Sequence, residues 1–121
     1  MRAVLFIGFG GFLGTVCRYL MSLIPVSERT DFPVVTLLVN LLGALAIGVL
    51  SGLAARHKGL DPDLVAFLRV GVCGGFTTFS TFALEITNLM GNGRPWMSAA
   101  YMALSLLFGI AAVLLGRAVA S

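Results

Sequence analysis

From Val34 to Ala55 the chain carries no charged side chain, and the same holds from Trp96 to Gly116. Each run is long enough to cross the hydrocarbon core of a bilayer, which takes about 20 residues of helix. Two more apolar stretches of similar length, at about 3–24 and 63–90, carry only isolated charges. In lipid every backbone N–H and C=O must be bonded internally, so runs of this length fold as helices. The expected architecture is all-α and integral to the membrane. It has four transmembrane helices, at about 3–24, 34–55, 63–90 and 96–117, in a single domain spanning 1–121.

Composition excludes other classes. With 59% hydrophobic and 11% charged residues, the chain lacks the polar surface that a soluble core would need. Its net charge of +3 is scattered over loops and span ends instead of forming a basic face, which argues against nucleic-acid binding. Cys17 and Cys73 lie inside apolar runs and read as small hydrophobes. His57, between Arg56 and Lys58, has no second ligand nearby to make a metal site. The first apolar run is long and three more follow it, so it reads as a retained span.

The third span is the one that departs from a plain membrane helix. It contains Gly74-Gly75-Phe76-Thr77-Thr78-Phe79-Ser80-Thr81-Phe82, with adjacent glycines, clustered hydroxyls and a phenylalanine at every third position. Glycine and β-branched threonine both weaken the helix, and Ser/Thr side chains can bond backbone groups that a break releases. A hydroxyl in a membrane helix commonly just bonds the carbonyl four residues back. The segment therefore either packs tightly against another helix or lines a polar cavity.

Other polar groups allow two readings each. Asn40, alone in span two, either glues helices together or points its NH2 into a passage. Arg18, near the end of span one, either snorkels to the interface or adds positive potential to an aqueous mouth. Glu85 reads as a carboxylate near a helix end reaching water. Tyr101, Ser105 and Gly109 recur at i, i+4, i+8 and form one stripe on span four. Gly10 with Gly14, and Gly43, Gly48 and Gly52, mark faces for close helix contact.

The connections are short. Pro25 to Pro33 holds Ser27, Glu28, Arg29, Thr30 and Asp31. Asp61-Pro62-Asp63 is a strong helix start, Asn92-Gly93 signals a turn, and Pro95-Trp96 opens span four. Four spans put both termini on one side, with Arg2, Arg56, Lys58 and Arg117, against Arg29 and Arg94 opposite. This bias toward cytoplasmic termini is slight, so the chain is able to insert both ways.

Four thin helices enclose little volume, so a permeation path implies at least a dimer. Two orientations would allow an antiparallel pair with its polar groups near the midplane. Those groups are amide and hydroxyl donors and ring edges, which suit a small anion, although hydroxyls also accept and leave the cargo open.

Four segments, Gly10 to Tyr19, Val35 to Gly48, Gly71 to Phe82 with Glu85 after it, and Tyr101 to Gly109, touch all four spans. In order and spacing they resemble the small bacterial fluoride channels of the Fluc or CrcB family. The resemblance implies a dual-topology antiparallel homodimer in the cell inner membrane, multi-pass. It implies a passive channel exporting fluoride, not an enzyme, with two narrow pores and a central structural sodium ion (Na+). By the family pattern Phe79 and Phe82 line the pores with ring edges and Asn40 is the pore amide. Ser80, Thr81 and Ser105 belong to polar tracks, and Arg18 lies near the vestibule. The backbone carbonyls of Gly74 and Thr77 would face the sodium. Thr15 stands where alanine is common in the family, a small-for-small exchange. The alternative is a small multidrug-resistance-type exporter, which would couple protons through its membrane carboxylate, here Glu85.

Overall fold

The computed structural model describes residues 1–28 and 30–121; Arg29, counted in the loop charges above, lies outside them, as do the side chains of Ser27 and Glu28. Four helical stretches are long and apolar enough to cross a membrane. The first is α1 (Arg2–Ser22), followed by a short 3-10 turn (Pro25–Glu28), and the second is α2 (Val34–Arg56). The third, Pro62–Gly91, is composite. It starts as α3 (Pro62–Ala66), widens into a π-helical segment (Phe67–Cys73), returns to α4 (Gly74–Phe76), breaks at 77–79 and resumes as α5 (Ser80–Gly91). The fourth is α6 (Pro95–Ala120).

Local chemistry sets the boundaries. Asp61 Oδ1 accepts the Asp63 N–H at 3.0 Å while Pro62 takes the first helical position, where a missing N–H is harmless. Gly93 turns the chain before α6 with φ of +74°, a left-handed conformation that favours glycine. An Arg94–Asp31 ion pair of 2.9 Å ties this turn to the loop before α2. At the opposite end Arg2 reaches Asp63 at 3.2 Å and Asp61 at 3.7 Å, joining the start of α1 to the start of α3.

Packing between spans runs through glycine, as expected where lipid removes the hydrophobic drive and close backbone approach takes its place. Gly10 and Gly14 of α1 are buried against the backbone of Phe67, Gly71 and Val72. Gly75 meets Gly11 in the same seam, so α1 runs alongside the first half of the third span. A second seam joins α2 to α6: Gly48 lies on Val113, Gly52 on Arg117 and Ala120, and Gly116 on Leu45 and Val49. A small core of Leu89, Met97 and Tyr101, ringed by Phe32, Leu37, Phe82 and Ile86, packs α5 against α6 beside the start of α2. Few residues of each span are buried within one chain, two of the 21 in α1 and four of the 23 in α2. The remaining apolar surface is left for lipid or for another copy.

Candidate ion-conduction site

The break at 77–79 is stabilised from outside its own helix. Thr77 ends α4 with extended backbone (φ −84°, ψ 158°), and its hydroxyl and N–H both donate to the Cys73 carbonyl, at 2.9 and 3.0 Å. Thr78 N–H, which an unbroken helix would give to Gly74 O, donates instead to Asn40 Oδ1 at 2.9 Å. Asn40 Nδ2–H returns a bond to Thr78 O at 3.0 Å. Thr81 N–H, which would have gone to Thr77 O, donates to Thr78 Oγ1 at 3.2 Å. Arg18 turns inward as well, its Nε–H donating to the Gly75 carbonyl at 3.2 Å. The guanidinium thus bonds a carbonyl beside the break. The result is that the carbonyls of Gly74 and Thr77 are released from the helix ladder.

Beside the break lies a groove of about 610 Å³ walled by α2, α6 and the broken span. Asn40, Thr77, Thr78, Phe79, Phe82 and Ser105 line it together with Gly43, Gly109 and apolar side chains, and no charged residue takes part. Phe79 and Phe82 are neighbours, with ring centroids 5.9 Å apart and planes tilted by 48°. Phe79 is 79% exposed on the single chain, whereas Phe82 also packs edge-to-face on Tyr101 at 5.0 Å. Ser105 Oγ is buried and has no hydrogen-bond partner among the described residues. Most buried polar atoms are paired, so an open hydroxyl on this wall stands out.

The groove brings together Asn40, Thr77, Phe79, Phe82 and Ser105. Ser80 and Thr81 do not line it; Ser80 is exposed and Thr81 partly exposed on the single chain. Gly74 is exposed too, and neither it nor Arg18, which is bonded to Gly75 O, lines the groove.

Glu85 corrects the reading of a carboxylate that simply reaches water. It is half-buried, accepting the Tyr101 hydroxyl at 2.9 Å on Oε1 and the Thr36 hydroxyl at 3.0 Å on Oε2. Tyr101 is fully buried, so the stripe on α6 divides: Tyr101 holds Glu85, while Ser105 and Gly109 face the groove. Thr36 gave no sequence signal of its own. A pairing between residues 49 positions apart in sequence is fixed only when spans two and three come together.

Four membrane-length helices, the third composite, packed through glycine seams beside an uncharged polar groove, define a multi-pass membrane protein. The family model for CrcB-like proteins, described as Camphor Resistance (CrcB), matches residues 5–117. The chain is 43% identical over 120 residues to a fluoride-specific ion channel FluC from Chlorobaculum tepidum, covering 99% of this chain and 95% of that one. It is 40% identical over 117 residues to the FluC protein of Azobacteroides pseudotrichonymphae, with 96% and 94% covered. To that of Rhodospirillum centenum it is 42% identical over 119 residues, with 98% and 94% covered. The chain belongs to the CrcB family, whose named relatives are ion channels and not enzymes.

Proposed function

We propose that two copies of this chain, inserted in opposite senses, form an antiparallel homodimer that conducts fluoride passively and lowers cytoplasmic fluoride by letting it leave the cell down its electrochemical gradient. The relatives' shared name supports the choice of ion. Within the chain, the observation that carries the reading is the unpartnered Ser105 hydroxyl on a groove wall free of charge. It shares that wall with Asn40, whose second amide N–H is uncommitted. The edges of Phe79 and Phe82, positively polarised, complete a set of neutral donors. Such a set can replace part of fluoride's hydration shell without binding so tightly that the ion stays. A carboxylate-coupled exporter is not favoured, since the groove contains no acid.

The dimer is supported by what one chain leaves uncovered. Phe79, Gly74 and Ser80 are exposed beside a groove open along one side. A second copy against this face would close the groove into a pore, with Ser80 and Thr81 joining the polar track from their own face. The carbonyls of Gly74 and Thr77, freed by the break, are neutral oxygen donors of the kind that suits a sodium ion, and two copies would double their number. Bound there, sodium would supply a structural positive charge between the copies. Arg18, by holding Gly75 O, would keep the break open while adding positive potential near a vestibule.

The test is reconstitution into liposomes loaded with equal fluoride and chloride, read with ion-selective electrodes. Fluoride is expected to leave while chloride stays, and vesicles prepared without sodium are expected to lose this flux reversibly. Equal release of both halides would overturn the assignment of the ion.

A further inference from the structure

A second cavity, of about 510 Å³, lies at the end of the molecule where the loop before α2 meets the turn before α6. Its polar lining is Thr30, Asp31, Glu85, Asn88, Asn92 and Arg94. At its inner wall stands Glu85, bonded to Tyr101, and Tyr101 packs on Phe82 of the groove. The pocket and the groove are thus the two sides of a Glu85–Tyr101–Phe82 partition.

Electrostatics at this mouth is unfavourable for an anion. Among the described residues lining it there are two carboxylates and one guanidinium, a formal charge of −1. Arg94 is the cation, and a single 2.9 Å contact holds it to Asp31. Both side chains are about half exposed, at 45% and 61%, so the pair contributes little to stability. Its field acts on whatever ion approaches, and that field is long-ranged at low salt and screened at high salt.

We propose that the Asp31–Arg94 pair sets the potential at the mouth of this pocket, and that Arg94 is the residue that admits anions to it. The proposal rests on the fluoride-channel reading and adds a path of access to it. Replacing Arg94 by Gln takes the formal charge of the described lining residues to −2, Asp31→Asn takes it to zero, and the double replacement restores −1. Anion flux at low ionic strength should follow that order of charge, whatever the effect of each substitution on the local turn.

The experiment compares initial fluoride efflux from liposomes bearing the wild type, Arg94→Gln, Asp31→Asn and the double variant. Each is measured at about 10 mM and about 1 M ionic strength, where the screening length falls from about 30 Å to about 3 Å. At low ionic strength Arg94→Gln is expected to slow efflux roughly threefold, Asp31→Asn to speed it by a similar factor, and the double variant to match the wild type. At high ionic strength the four should agree. A loss in Arg94→Gln of the same size at both ionic strengths, or a double variant slower than Arg94→Gln, would overturn the proposal. A wild type silent at about 1 M would sink the channel reading itself and the proposal with it. A conducting wild type with four equal rates at low salt would sink the proposal alone.

Discussion

Asn40 and Thr78, from different spans, exchange two hydrogen bonds: the amide N–H donates to Thr78 O at 3.0 Å and the Thr78 N–H donates to Asn40 Oδ1 at 2.9 Å. A side-chain amide has the donor and acceptor of a peptide unit, so Asn40 substitutes for the backbone partners that Thr78 loses when the helix stops. At membrane depth there is little bulk water to perform that service.

Asn40→Leu keeps a side chain branched at Cγ, somewhat larger, and removes both bonds. Leaving two part-buried backbone groups unpaired costs at most about 1–3 kcal/mol each, so a loss of roughly 2–6 kcal/mol is the upper range expected. Denaturant unfolding of the detergent-solubilised protein, followed by the fluorescence of Trp96, measures it. Fluoride flux should fall by more than tenfold in the same variant. Unchanged stability would show that the break is held by other contacts.

A glycine inside a seam and one outside it predict opposite outcomes for superficially similar substitutions. A side chain at Gly48 would run into the backbone of Val113, so Gly48→Val should separate α2 from α6 and yield aggregated protein on size-exclusion chromatography. Gly8 has open space where a Cβ would go. Gly8→Ala should therefore be neutral, or stabilising by about 0.5–1 kcal/mol through helix propensity.

How much of this was legible in the sequence follows from the range of the interactions. The uncharged runs and the glycine spacing encode spans and seams because both depend on residues within a few turns of one another. The weakened helix at Gly74 to Phe82 signals a break for the same reason. Long-range pairings were not legible. Arg18 meets Gly75 57 residues on, and Glu85 meets Thr36 and Tyr101 from two other spans. The break itself hid part of the site: once residues 77–79 leave the helix, periodicity no longer says which way Ser80 and Thr81 face.

Phe82 lines the groove and packs on Tyr101, so under the proposed function its ring would serve conduction and packing together. Phe82→Ile keeps an apolar side chain of moderate size but removes the polarised ring edge. Fluoride efflux should slow by at least tenfold, with the elution volume of the assembled protein unchanged. Retained throughput would remove Phe82 from the path.

The central claim is that fluoride crosses passively and alone, carrying its charge with it. Efflux from fluoride-loaded liposomes must then build up a voltage that opposes further efflux, and valinomycin with potassium must relieve it. We predict an initial rate that rises manyfold on adding valinomycin and is indifferent to an imposed proton gradient. A rate unaffected by valinomycin and driven by the proton gradient would contradict the account.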